Sequence, residues 1–404
     1  MIGRSVLIVG NGVAGPALAH WLLQYGFRPT IVERAPGPVS SGYTVDLWGK
    51  AYDLLERMGL LPQLHAASLP LREVRAVAAN GKRRAAFDGG LFAEVTRGRH
   101  VRLQRSALSA ILYGAVAPNI RTVWEDEPTF CEQRAQGVWV KFRRAEPELF
   151  NVVIGADGLH SAVRRQIFGE PPRFERFLGF SVAAFEAVGY PQRNEGVYVS
   201  FNAPGKHVAR VTLPDDRTTF LIAIADQSAP EPHWNQDTAK HYLRTQLGEC
   251  GWEVPLILDT LDRADSVYFE RTSQVRMPRW SRGAVALLGD AAYAPSLLAG
   301  QGAALGIIGA YVLAGELSRS VVAEGAFDRY ESILRVFILG KQDVALKRAE
   351  SFLPRSRLGV WLRNLSMKRF AIPAVARSAL RGQLKDELTL PDYAGYVRAA
   401  TVTP

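Results

Sequence analysis

Cysteine is nearly missing: Cys131 and Cys250 are the only two in 404 residues. Two thiols cannot build a multi-disulfide framework, and neither has a partner at CxxC spacing, which excludes the usual zinc and dithiol motifs. This usage points to a reducing cytosol. Histidine is sparse and scattered, from His20 and His65 through His100, His160 and His207 to His233 and His241. No Ser/His/Asp triad or metal-ligand cluster stands out, so no side chain is assigned a catalytic role and no metal is expected. Internal repeats and low-complexity tracts are absent. From Met1 to the strand-like run at Ser5 there is no cationic stretch, long apolar core or small-residue cleavage site, and a signal peptide is not expected.

One stretch lacks charge altogether, the segment between Asp290 and Glu316. Its length could cross a bilayer. However, it contains Gly300, Gly302, Gly306, Gly309 and Gly315 together with Pro295, Ser296 and Gln301, and it follows a strand-like run ending at Asp290. A buried helix is the expectation.

The composition is that of a globular protein, 48% hydrophobic, 22% charged and 10% aromatic, and at roughly 100 to 200 residues per domain the length suits two or three domains. The net charge is +10, and it is concentrated: from Lys341 to Arg381 ten Lys or Arg oppose Asp343 and Glu350, a balance of +8. Such a stretch reads as a solvated helical face, a contact for anionic lipid or a phosphate-binding surface. No nucleic-acid motif accompanies it, and a nucleic-acid partner is not expected.

The first informative unit is the run Ser5 to Val9, followed at once by Gly10, Gly12 and Gly15. Val13, Ala17, Trp21 and Tyr25 then recur at helical spacing before Gly26, and a second strand, Thr30 to Val32, ends in Glu33. In this context Gly10 permits a tight turn, Gly12 lets backbone approach a pyrophosphate, and Gly15 lets the helix pack on the sheet. Pro16 is tolerated in the first helical turn, whose amides and partial positive charge suit phosphates. Glu33 would accept hydrogen bonds from ribose hydroxyls and repel a 2′-phosphate, so adenosine without 2′-phosphate is expected, as in FAD or NAD; Arg34 beside it joins the cofactor-binding set. Two further buried strands, Val152 to Gly155 and Ala284 to Leu288, precede Asp157 and Asp290. Three acids would thus stand at the carboxyl edge of one parallel sheet, where open α/β sheets bind ligands. From Phe180 to about Asp226 alternation and turn signals indicate a separate antiparallel sheet.

Asp157, Gly158, Ser161 and Arg164 form a DGxxSxxR pattern, and Gly289-Asp290-Ala291 opens a loop running to Gly300, Gln301 and Gly302. Three such motifs in this order resemble the FAD-dependent aromatic hydroxylases, the group A flavoprotein monooxygenases of para-hydroxybenzoate hydroxylase fold, over roughly residues 1 to 340. Ser41 to Leu60 and Gly289 to Leu317 look most like the branch that acts on polyketides and includes tetracycline-inactivating enzymes. The resemblance implies an α/β fold: a Rossmann-like FAD-binding domain with a mostly parallel sheet (1–70, 101–172 and 273–340), an antiparallel-sheet substrate domain (71–100 and 173–272) and a basic helical C-terminal segment (341–404). It implies that Asp290 binds ribityl hydroxyls, that Gly300, Gln301, Gly302 and Ala303 offer amides to the pyrimidine side of the flavin, and that Arg105 contacts the pyrophosphate. Asp46 lies where the family chain runs past the flavin. Asp157 is linked in the family to FAD and NAD(P)H, the alternative being that Asp157 and Arg164 brace a turn. Tyr293 and Leu297 depart from the His and Pro common in the family.

In this family NAD(P)H reduces FAD, O2 adds to give a flavin C4a-hydroperoxide, and its distal oxygen is transferred to an electron-rich carbon. The expected partner is a flat, hydrophobic aromatic small molecule lying between the antiparallel sheet and the flavin, with Phe180, Phe185, Tyr198, Phe201 and Phe220 as core or pocket lining. Two alternatives stay open. One is an FAD oxidase or reductase without oxygen insertion; a halogenase is disfavoured because no WxWxIP segment occurs. The other is a non-catalytic nucleotide-fold module binding membrane or polyanion through the basic segment, where Trp361, Leu362, Leu365, Phe370 and Ile372 sit among the charges. Against that, the same helix could clamp the domains together, so membrane contact is not the favoured reading.

Overall fold

The computed structural model describes residues 3–38, 43–192, 194–226, 235–296, 300–384 and 388–396; Leu297 and His233 fall outside them. Two sheets organise the chain. The first has six strands in the order Ser281–Arg282, Val285–Leu287, Val152–Gly155, Ser5–Val9, Arg28–Glu33 and Arg121–Trp124. All its pairs are parallel except Ser281–Arg282 with Val285–Leu287. Its central strands are apolar and buried without alternation, as helices on both faces require. The register fixes function: Val9 pairs with both Val32 and Gly155, and Gly155 with Leu287. Four strand tips are therefore level; Glu33 closes one of them, and Asp157 and Asp290 come two and three residues beyond two others.

The second sheet has seven strands, in the order Tyr268–Val275, Glu175–Val188, Arg217–Ala225, Lys206–Thr212, Val197–Ala203, Glu73–Val77 and Arg83–Asp88. It is antiparallel apart from the parallel pair of Val197–Ala203 with Glu73–Val77. Helices Gln236–Leu247 and Val254–Asp262 cover one face, burying Phe185, Phe201 and Phe220 in a core of their own. Phe185 stacks on Phe220 with ring centroids 4.6 Å apart. These three are core residues. Phe180 belongs to a smaller cluster with Leu353.

The uncharged stretch folds as the short helix Asp290–Tyr293 and the helix Gly302–Ser318, buried at every position from Leu305 to Leu317. A helix apolar all round belongs inside a protein, and this one packs between the helices Ala14–Gln24 and Ala323–Phe352. Among the described residues no helix is long and apolar enough to cross a membrane.

Two expectations need correction. The basic segment does not begin as a separate unit at Lys341, because that residue lies inside the 30-residue helix Ala323–Phe352; the helices Arg357–Phe370 and Pro373–Leu384 follow it. Nor is the end of the chain loose, as Leu390 to Pro404 reads in sequence, over its described part, residues 390–396. Tyr393 is completely buried, its hydroxyl donating to the Glu316 carboxylate at 2.7 Å.

Candidate active site

The turn after Ser5–Val9 is shaped by contacts only glycine allows. Gly10 has φ +108°, and a Cβ there would stand 2.5 Å from the Ala156 carbonyl oxygen. A Cβ on Gly15 would stand 2.1 Å from the Gly10 carbonyl oxygen, whereas one on Gly12 would meet nothing within 4 Å. The turn is thus closed on the sheet side and open at Gly12. Glu33 braces it: one carboxylate oxygen accepts the Asn11 N–H at 2.7 Å and the other the Ala35 N–H at 2.9 Å. From the helix Arg105–Gly114, the Ser109 hydroxyl donates to the Asn11 and Gly12 carbonyls at 3.2 and 2.9 Å. The Asn11 side-chain amide is buried without a partner among the described residues. Neither Asn11 nor Ser109 was foreseen. Each hides in a motif singled out for other residues, and Ser109 stands one helical turn after Arg105.

The second acid is half-satisfied. Asp157 Oδ2 accepts the Val163 N–H at 3.1 Å, and its buried Oδ1 has no partner. Burial pushes its carboxyl up, against the pull of Ser161 and nearby backbone N–H groups. Arg164 is itself buried and donates to the carbonyls of Leu159 at 2.6 Å and Ala291 at 3.0 Å and to the Glu175 carboxylate. It ties the DG loop to the GDA loop and does not face the cleft. Cys131 nearby has its thiol pushed up to about 11 by burial and by the Asp157 charge, which leaves it an unreactive structural residue.

A cavity of about 500 Å³ joins the loops to the second sheet. Of the expected residues it gathers Arg34, Arg105, Asp157 and Asp290 with Gly300, Gly302 and Ala303. Gly10, Gly12, Gly15, Glu33 and Gln301 do not line it; the first four form the adjoining turn, and Gln301 precedes the helix, its carbonyl accepting the Leu305 N–H at 2.9 Å. No side chain caps that helix, so its first amides are left for another acceptor. The far wall comes from residues sequence reasoning missed: Tyr43, His160, Tyr268, Phe269 and Glu270. Tyr43 and Tyr268 meet with centroids 5.6 Å apart, the Arg105 guanidinium lies 5.9 Å over Tyr43, and the Tyr268 hydroxyl donates to Glu270. Burial pushes the Asp290 carboxyl up; Arg105 opposes this, and the Glu270 charge adds to it.

Two expectations differ from this geometry. Asp46 does not line the cavity. Its carboxylate accepts two bonds from Arg102, at 2.8 and 3.0 Å, and contacts His100 at 2.8 Å across paired strands Thr44–Trp48 and His100–Gln104. Burial would raise its pKa, but Arg102 and His100 outweigh that and hold it below the usual carboxylate range. Tyr198 is likewise engaged elsewhere, its hydroxyl 2.9 Å from His207 Nε2. Tyr293, at the family histidine position, points into the core, where its hydroxyl accepts from Tyr330 at 3.1 Å and closes on Gly309.

A family profile described as FAD binding domain matches residues 4–335. The chain belongs to this FAD-binding family. Among curated relatives, a flavin-dependent monooxygenase from an unknown prokaryotic organism is 34% identical over 87% of this chain and 90% of its own. A flavin-dependent monooxygenase of Legionella longbeachae serogroup 1 (strain NSW150) is 31% identical over 96% of this chain and 98% of its own. The solved structure of tetracycline destructase Tet(55) superposes with a TM-score of 0.82 at 30% identity, covering 97% of this chain and all of that one. The protein is an FAD-dependent monooxygenase, which sets aside the non-catalytic module. The donor set suits the dinucleotide: an open backbone at Gly12, an orphaned acceptor on Asp157, an uncapped helix start and an Arg105 guanidinium forming no hydrogen bond with the described residues.

Proposed function

We propose that this monooxygenase uses NAD(P)H and O2 to hydroxylate or oxygenate a flat, hydrophobic aromatic or polyketide-like small molecule. The observation that carries the reading is the single cavity in which Asp157, Asp290, Arg105 and the Gly302 helix start face the Tyr43–Tyr268 pair. In this assignment Gly10, Gly12, Gly15, Glu33 and Arg34 hold the adenosine and pyrophosphate half of FAD, with Arg105 neutralising phosphate charge. Asp290 accepts from the ribityl hydroxyls, and Asp157 offers Oδ1 to a donor on the cofactor. Amides of Gly300, Gln301, Gly302 and Ala303 meet the pyrimidine edge, where a helix N-terminus stabilises negative charge. Bound FAD supplies electron storage and oxygen activation; the protein's task is to orient the reactants and exclude water.

Tyr43, Tyr268 and Phe269 give the cavity an aromatic wall suited to a planar substrate. The likeness to a tetracycline destructase supports a polycyclic one. Two free cysteines fit a reducing cytosol as the compartment. The test is labelled oxygen: purified holoprotein should be yellow, a substrate should accelerate NAD(P)H oxidation, and one atom of ¹⁸O2 should enter product. Stimulated NAD(P)H oxidation with no label in product would overturn hydroxylation in favour of an oxidase or reductase.

A further inference from the structure

The helix Arg357–Phe370 has two unlike faces. Inward, Arg363 donates to Asn202 on the seven-stranded sheet and stacks 5.0 Å over Phe352, while Phe370 meets Phe87 at 5.7 Å between ring centroids. Ala376 and Leu380 of the next helix close over Leu91. These contacts clamp the helix to the substrate-domain side of the fold and consume its inner face. Outward, Leu358, Trp361, Leu362 and Leu365 recur at helical spacing and are 66%, 59%, 51% and 37% exposed. Ile372 and Val375, beyond the end of that helix, are exposed as well. Large apolar side chains gathered on one surface mark an interaction site.

The charge around the patch says what covers it. From Ser351 to Leu384 the chain has seven Arg or Lys and no Asp or Glu. Beneath Trp361 a groove of about 270 Å³ is walled by Arg84, Arg357 and Lys368; these three cations form no ion pair with the described residues. A second copy docking by the same face would set cations against cations. A nucleic acid would match the charge but offer the leucines nothing to bury against. A surface with an anionic layer over hydrocarbon satisfies both features.

We propose that this face docks on an anionic phospholipid surface, Trp361 and Leu365 entering the acyl boundary while Arg84, Arg357 and Lys368 gather headgroup phosphate. Tryptophan suits that boundary because it joins a large apolar ring to one N–H donor. Docking leaves the inner-face clamp intact, so the clamp and the membrane contact are two uses of one helix.

The experiment is vesicle flotation of full-length, FAD-loaded protein with phosphatidylcholine alone or mixed with phosphatidylglycerol. Recovery with the mixed vesicles only, reduced by salt, is expected. Two double variants, Trp361→Ser with Leu365→Ser and Arg357→Glu with Lys368→Glu, should each lower the bound fraction on the order of tenfold. Their flavin spectrum and melting temperature should match the parent, because the four side chains are exposed. The proposal is overturned by no recovery with the mixed vesicles, by equal recovery without phosphatidylglycerol, or by undiminished recovery of either double variant. Sedimentation showing a dimer that Trp361→Ser dissolves, without lipid binding, would assign the face to a second copy instead.

Discussion

Helices Gly302–Ser318 and Arg357–Phe370 are both rich in apolar residues and poor in acid, yet the first is sealed at every position from Leu305 to Leu317 while the second buries none. What separates them is glycine against cation. In the first, Gly306, Gly309 and Gly315 let neighbours approach to the backbone: Ala14 at one level, the Tyr293 hydroxyl at the next and the Tyr393 ring at the last. In the second, Arg and Lys flank the leucines and hold them at the surface, where the stems cover apolar area and the heads stay wet. Apolar content therefore says less about burial than the size and charge of the residues between.

The largest effect should come from filling the sealed helix. Gly309→Val would put a Cβ where the Tyr293 hydroxyl now lies 2.0 Å away, and overpacking should cost about 3 kcal/mol, seen as a lower denaturant midpoint. Next is Asp290→Ala at the helix's cleft end. Losing hydrogen bonds from a charged acceptor should weaken FAD retention by about 10- to 100-fold, measured by titrating flavin into apoprotein. Smaller still is a pH effect beneath the second helix. His207 contacts Tyr198 and Asn202, and burial, helped by the Arg363 charge, holds it well below the imidazole range. It is neutral when folded and protonates near pH ~6.5 when unfolded. Stability should thus be full above that value and fall as pH drops, by up to about 1.4 kcal/mol per unit. Urea unfolding of His207→Gln across pH 5 to 7 should show a flatter curve. The least effect belongs to Leu365→Ser on the exposed face, within about 0.5 kcal/mol of the parent by the same assay.

The parallel half was readable because its tasks are local. A positive φ at Gly10, an unobstructed backbone at Gly12 and acids at the tips of apolar strands each leave a mark within a few residues, and Asp157, Asp290 and Arg105 all reach the cavity. The opposite wall was not readable. Tyr43 just precedes the strand Thr44–Trp48 and Tyr268 opens the strand Tyr268–Val275, so the two meet only through tertiary packing, and nothing near either residue announces the other. Aromatic content drew attention to Phe185 and Phe220, which belong to the core beneath the helices. Asp46 stands off the cavity for a related reason. An acid on a strand looks the same whether it faces a ligand or a cross-strand arginine, and its partner Arg102 lies in a distant segment.

The buried Tyr393 has an implication for folding. Rings of Trp21, Tyr311 and Tyr393 touch in succession, 5.0 and 5.1 Å between centroids, so the helix that follows the first glycine turn is braced, through Tyr311, by a side chain distant from it in sequence. Closing that stack joins residues far apart in the chain, and because loop closure comes before such contacts repay it, this seam should be among the later ones to form in folding.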